Sequence, residues 1–203
     1  MSGAEKIAVR VTEVTPLNAL VTRFRFEPVN GGLLPTFSGG AHTVVEMKDG
    51  DTTRLNPYSL MSDPFDQTAY TISVRRDDEG RGGSLFMHER VKVGDEMTIS
   101  NPVNLFSLDL RAKKHLMIAG GIGITALASM AMTLQRGGHA WRLCYLARSA
   151  DRFALMDRLG PLGDKVEYLA GLTVQATQVA IARHLGAHRD ARHVYLCGPT
   201  GLI

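Results

Sequence analysis

The stretch from Leu116 to Leu134, LMIAGGIGITALASMAMTL, constrains the fold more than any other. It holds no charged residue and three glycines, and Lys113 and Lys114 stand just before it. Length alone would let it span a bilayer, which takes about 20 apolar residues. The glycines argue against that reading. Gly120-Gly121-Ile122-Gly123 inside a helix would cost about 1 kcal/mol per Gly relative to Ala. The same residues suit a buried strand, a tight turn and a helix that opens from the turn. From Thr125 on the residues are mostly Ala, Leu and Met, and Gly137-Gly138 supplies a stop. A helix N-terminus after such a turn is an anion site, because its free N–H groups and its dipole converge there. A phosphate-bearing ligand is therefore expected at residues 120–126.

The chain before this stretch alternates apolar and polar residues with period two. Residues 6–14 and 19–27 form an expected antiparallel hairpin, separated by Pro16 and Asn18. Further short strands are expected at His42–Met47, Tyr58–Met61, Tyr70–Arg75 and Glu96–Ser100, with one short helix at Ser84–Val91. Six or so such strands predict a small antiparallel barrel over roughly residues 1–108. After it the period changes. Apolar strands at His115–Ala119, Trp141–Ala147, Val166–Ala170 and His193–Cys197 alternate with helices from Thr125, at Ala150–Leu159 behind Ser149, and at Gln175–Leu185. That alternation predicts a parallel sheet with helices on both faces. The expected fold class is thus β + α/β: an antiparallel barrel domain at 1–110 and an α/β domain at 111–203. The last residues, Thr200-Gly-Leu-Ile203, read as the start of one more helix, so either the chain continues in the natural protein or its end is unusual.

Several function classes find no support. The net charge is +3 over 203 residues and there is no lysine-arginine run, so nucleic-acid binding is not indicated. The seven histidines show no ligand spacing on one element, and the acidic residues are scattered. Gly82-Gly83-Ser84-Leu85-Phe86 lacks the second glycine of a nucleophile elbow. Cys144 and Cys197 lie in apolar runs and read as buried reduced thiols. MSGAEKIAVRV is not a signal peptide, so a cytoplasmic protein without membrane contact is expected.

Three further stretches carry candidate chemistry. Gly121-x-Gly123-x-x-Ala126 fits the loose dinucleotide fingerprint. The next strand ends in Ala147-Arg148-Ser149 rather than an acidic residue, and an arginine there suits a 2′-phosphate. Gly80-Arg81-Gly82-Gly83-Ser84 is a second glycine turn before a helix, with the makings of an anion cradle. Arg54-Leu-Asn56-Pro57-Tyr58-Ser59-Leu60 offers a ring to stack on a flat ligand and a hydroxyl to meet a ring nitrogen.

Together these stretches resemble the ferredoxin–NADP reductase superfamily, nearest the phthalate dioxygenase reductase and vanillate demethylase reductase group. The resemblance implies a flavin-binding barrel followed by a nicotinamide-nucleotide domain. Tyr58-Ser59-Leu60 resembles the Arg-x-Tyr-Ser flavin motif; the family arginine would fall at Asn56, and Arg54 stands two residues earlier. Ser73-Val74-Arg75 is similar to the next flavin-lining strand, and Arg81-Gly82-Gly83-Ser84 to the flavin-phosphate turn. Gly120-Gly121-Ile122-Gly123-Ile124-Thr125 is similar to the nicotinamide-domain glycine motif, with Ala126 where the family commonly has Pro. By the same resemblance Arg148-Ser149 meets the adenosine ribose and Cys197-Gly198-Pro199 lies beside the nicotinamide.

The implied activity is that of an NAD(P)H-dependent flavin reductase using FMN, with FAD as the alternative. Ser59 and Thr125 are the side chains placed at the reacting region. The implied electron acceptor is a [2Fe-2S] centre feeding a terminal oxygenase, or a ferredoxin. The family's iron–sulfur domain needs four clustered cysteines, and two are present here. NADH and NADPH both stay open, as do two other roles: an FAD-holding electron-transfer subunit of a dehydrogenase, and a flavin-free interaction subunit.

Overall fold

The computed structural model describes residues 6–186 and 192–202. Ile203, named above, and one of the seven histidines, His188, lie outside them. Strands β1 (Lys6–Pro16), β2 (Val21–Pro28), β3 (His42–Asp49), β4 (Thr52–Ser59), β5 (Tyr70–Arg75) and β6 (Glu96–Ser100) form one antiparallel sheet in the order β4-β3-β6-β1-β2-β5. Period-two alternation aims one face inward: Val9 and Val11, Phe24 and Phe26, Val45 and Met47, Ile72 and Val74, Met97 and Ile99 share a core. Each such side chain contributes about 1.5–3 kcal/mol on full burial. The sheet curls into a half-barrel. Beyond β4 the Leu60 N–H donates to the Ala41 carbonyl, and the Met61 N–H reaches the Thr71 carbonyl on β5, both at 2.9 Å. The short helix α1 (Gly83–Glu89) follows β5.

Strands β7 (Lys114–Gly120), β8 (Ala140–Ala147), β9 (Val166–Ala170) and β10 (Arg192–Cys197) form a parallel sheet in the order β10-β7-β8-β9. On one face Met117, Ala119, Leu143 and Tyr145 pack with α2 (Ile124–Arg136); on the other Leu116, Ile118, Cys144 and Leu146 pack with Ile181 of α4 (Val174–Gly186). The chain runs outward from β7 to β9, then returns through α4 to the other side of β7. The strand order therefore reverses between β7 and β10, which is where such sheets open a ligand crevice.

The two sheets are closely joined. Val21 and Met61 belong to the same buried cluster as Met117, Leu127 and Trp141. A Cβ on Gly39 would lie 2.9 Å from the Met130 Cα, and the Gly40 N–H donates to Ser129 Oγ at 3.1 Å. The third helix, α3 (Met156–Leu159), faces the first sheet, with Arg23 Nη1 paired to Asp157 Oδ2 at 2.5 Å. Arg136 sits 4.4 Å from the Phe65 ring centroid and 3.5 Å from Asp63.

Two local expectations are corrected. The strand expected at Tyr58–Met61 is the end of β4, which begins at Thr52 directly after the Asp49-Gly50 turn. β4 is an edge strand, which is why it tolerates Pro57. The helix expected over Ala150–Leu159 is broken into a 3₁₀ turn at Ala150–Arg152, an extended piece and α3. Phe153 is drawn into a ring cluster with Tyr145 and Tyr168, and Leu155 takes a left-handed φ of 61°. At the C-terminal end, the Leu202 N–H closes a turn onto the Pro199 carbonyl at 2.8 Å; the helix start expected over Thr200–Ile203 runs onto Ile203, outside the described residues.

Candidate functional site

On β4, residues two apart share a face. Arg54, Asn56 and Tyr58 are half-buried on one side, while Leu55 and Pro57 are exposed on the other. The glycine turn before α1 lies against that half-buried row. Arg54 Nε donates to the Arg81 carbonyl at 3.2 Å, and a Cβ on Gly82 would lie 3.1 Å from the same nitrogen. A Cβ on Gly83 would collide with the Asn56 amide. Asn56 Nδ2 donates in turn to the Tyr58 hydroxyl at 3.3 Å. Gly82 has φ 86°, a conformation that L side chains rarely adopt. Burial raises the Tyr58 phenol, so it stays protonated. Arg54 is thus two positions early for the motif yet on the same strand face as Tyr58.

The other expected residues on this side divide. Ser59 and Leu60 continue the strand end, Leu60 fully buried. Ser73 is buried and donates from Oγ to the Met61 sulfur at 3.0 Å, on the face toward the second sheet. The Val74 side chain is in the barrel core and its carbonyl meets His88 Nε2 at 2.9 Å, so that side chain does not join the others. Arg75 and Arg81 are exposed. Ser84 Oγ accepts from the Asp77 N–H and donates to the Asp77 carbonyl, which closes the 77–84 loop.

At the switch point of the parallel sheet the glycine turn after β7 meets the turn after β10. A Cβ on Gly123 would lie 2.8 Å from the Gly198 nitrogen, and one on Gly198 would lie 3.1 Å from the Gly120 Cα. A Cβ on Gly120 would lie 3.0 Å from Pro199 Cδ. Gly121 has φ 52° and open space where a Cβ would go, as close approach by a bound phosphate requires. Ile124 and Thr125 open α2; both are buried, and Thr125 Oγ1 donates to the Ile122 carbonyl at 2.9 Å. Burial raises the Cys197 thiol, which keeps it protonated.

Arg148 is exposed just beyond β8 and makes no ion pair among the described residues. The neighbouring Ser149 hydroxyl bonds the Asp151 carboxylate and lowers its pKa, and Arg152 pairs with the same carboxylate at 3.3 Å. Asp151 is therefore engaged. No group of three or more potential metal-ligating side chains converges among the described residues. No described helix is long and apolar enough to cross a membrane.

Arg54 is named in the sequence without its geometry, which strand period two counted back from Tyr58 supplies: it places Arg54 on the face of the tyrosine. One feature was missed in the sequence. Arg158 reaches from α3 across to the first sheet, donating from Nη1 to the Met61 carbonyl at 3.0 Å, and no local pattern marks it.

No family model matches the chain. It is 44% identical to the carnitine monooxygenase reductase subunit of Escherichia coli (strain K12), over 100% of this chain and 63% of that protein. It is 35% identical to the vanillate O-demethylase oxidoreductase of Pseudomonas sp. (strain HR199 / DSM 7063), over 90% of this chain and 57% of that protein. Among solved structures it superposes on phthalate dioxygenase reductase, a modular structure for electron transfer from pyridine nucleotides to [2Fe-2S], with a TM-score of 0.86 and 32% identity. That match covers 97% of this chain and 61% of the other. The chain spans less than two thirds of the length of each of these relatives.

Proposed function

We propose that the chain is a reductase of the ferredoxin–NADP reductase superfamily, similar to the reductase part of oxygenase reductases, and that it reduces a bound FMN with NAD(P)H. Electrons then leave singly for a [2Fe-2S] centre that serves a terminal oxygenase, or for a ferredoxin. The observation that carries the reading is the meeting of Gly120–Gly123 with Gly198-Pro199 where the strand order reverses. Two divisions belong to the proposal: a flavin unit at 1–110 and a nucleotide unit at 111–203. A cytoplasmic setting belongs to it as well, since reduced thiols such as Cys144 persist there.

When bound, the flavin accepts a hydride and releases single electrons, chemistry no side chain here supplies. The chain's own residues bind, orient and exclude water. Arg54, Asn56 and the Arg81-Gly82-Gly83-Ser84 turn hold the flavin phosphate, with Arg54 and Arg81 as its charges. Pro57 stiffens the strand, Tyr58 packs on the ring, and Ser59 meets its reacting edge. Leu60, Ser73, Val74 and Arg75 line or back the ring, Val74 through its backbone. Gly120, Gly121 and Gly123 admit the dinucleotide phosphates to the start of α2, Ile124 backs them, and Thr125 faces the flavin. Arg148 and Ser149 take the adenosine ribose. Cys197, Gly198 and Pro199 flank the nicotinamide. The apolar cluster around Met61 keeps water from the back of the cleft.

The test is a fluorescence titration of the purified apo chain with FMN and with FAD. Anaerobic addition of NADH or NADPH to the loaded chain follows. Tight binding of FMN and bleaching by a nucleotide support the reading; failure to bind either flavin overturns it.

A further inference from the structure

The segment after β8 ends in α3 and touches the first sheet at three polar points. Asn18 Nδ2 donates to the Arg152 carbonyl at 3.2 Å, Arg23 Nη1 pairs with Asp157 at 2.5 Å, and Arg158 Nη1 donates to the Met61 carbonyl at 3.0 Å. The third contact differs from the others in what it holds. Met61 follows Tyr58-Ser59-Leu60 directly and is fully buried in the cluster that joins the two sheets. Its N–H is spent on Thr71, its sulfur accepts from Ser73, and its carbonyl is taken by Arg158. The strand end that carries Tyr58 and Ser59 is thus anchored from the opposite unit.

Arg158 is an expensive residue to place there. It is half-buried and makes no ion pair among the described residues. Burial, and then the nearby Arg23, lower its pKa. A guanidinium offers rigid, directional donors, which is what holding one carbonyl in place requires. The backbone leading to it is also strained: Leu155 sits at φ 61° while buried, a conformation that non-glycine residues rarely adopt. That turn immediately precedes α3, whose Asp157 and Arg158 both reach the first sheet.

Resting on the functional reading above, we propose that Arg158 is a positioning residue. Through the Met61 carbonyl it fixes the end of the Tyr58–Ser59 strand, and with it the flavin ring, against the nicotinamide site of the other unit. The neighbouring Arg23–Asp157 pair joins the same two units without touching that strand end, so it serves as the internal control.

The experiment compares the wild type with Arg158→Met, Arg158→Lys and Asp157→Asn, each loaded with FMN. Arg158→Met keeps its FMN dissociation constant within about threefold, shifts the bound-flavin absorption spectrum, and loses about tenfold or more in kcat for NAD(P)H with little change in KM, as misplacement of reactants predicts. Reduction by dithionite, which needs no nucleotide alignment, stays at the wild-type rate. Arg158→Lys recovers part of the rate. Asp157→Asn lowers the unfolding temperature but reduces within about twofold of wild type. An Arg158→Met chain with an unshifted spectrum and wild-type reduction overturns the inference, as does equal slowing in Asp157→Asn. If Arg158→Met does not fold, wild-type spectrum and rate in Arg158→Lys overturn it instead. A wild type that neither nucleotide reduces overturns the functional reading as well; a reducible wild type with an unaffected variant overturns this inference alone.

Discussion

Gly123 packs directly against Gly198: a Cβ on Gly123 would lie 2.8 Å from the Gly198 nitrogen and would also strike the Cys197 carbonyl. Both obstacles are backbone of the β10 end, which cannot swing aside like a side chain. Gly123→Ala is therefore expected to lose about 1–3 kcal/mol by overpacking, or about 2–12 °C in unfolding temperature for a chain of this size. Calorimetry checks this. FMN affinity should survive while reduction by NAD(P)H fails. Gly160→Ala, with nothing within 4 Å of its Cβ, should match wild type.

Arg54 reaches the turn before α1 from the face of β4 that carries Tyr58. Loss of a charge-assisted bond to a phosphate removes about 1.5–3 kcal/mol. Arg54→Gln should accordingly bind FMN about 10–100-fold more weakly, measured by fluorescence titration. Its apo stability should barely move, because the partly exposed Arg54–Asp49 pair at 3.2 Å is worth about 1 kcal/mol at most.

Among the described residues Arg148 makes no ion pair beyond β8, whereas the Asp151 carboxylate there is bonded by Ser149 and Arg152. Arg148→Ala should lower kcat/KM for NADPH by about tenfold more than for NADH, the weight of one phosphate contact. Steady-state kinetics with both nucleotides measure the difference. Equal losses would remove Arg148 from the 2′-phosphate site.

Burial in the parallel sheet pushes the Cys144 thiol up to about 11 from 9.0, and the Tyr145 phenol up to about 12 from 10.0. Below pH 9 both groups are protonated folded or unfolded. Above it the unfolded chain releases a thiol proton that the folded chain retains. Stability must therefore fall as pH rises from 9 to 11, by about 1 kcal/mol per pH unit at most from Cys144. Urea unfolding at stepped pH measures the slope. Cys144→Ala should flatten it in part and leave the contribution of Tyr145.

Much of this fold was legible because its cores are built on plain periodicities. β5, β6 and β9 begin and end where alternation or an apolar run does, and the turn at Gly120–Gly123 announces itself by composition. The misreadings share a cause. On β4 the half-buried face carries Arg54, Asn56 and Tyr58 while Leu55 points outward, so the pattern is inverted where the flavin is proposed to bind. Local rules fail at sites that serve a ligand rather than a core. Over Ala150–Leu159, helix-forming residues are overruled by packing of Phe153 on Tyr145 and Tyr168 and by the left-handed Leu155. Arg158 could not be found at all, since its partner Met61 is brought to it only by the docking of two sheets.

The central claim is hydride delivery from a nucleotide on the Gly120–Gly123 turn to a flavin on the Tyr58–Ser59 strand. Anaerobic rapid mixing of the FMN-loaded chain with NADH and NADPH, each with and without deuterium at the transferring position, tests it directly. The account predicts that the flavin band bleaches in a single fast phase, and that deuterium slows that phase severalfold. A loaded flavin that neither nucleotide bleaches would contradict it.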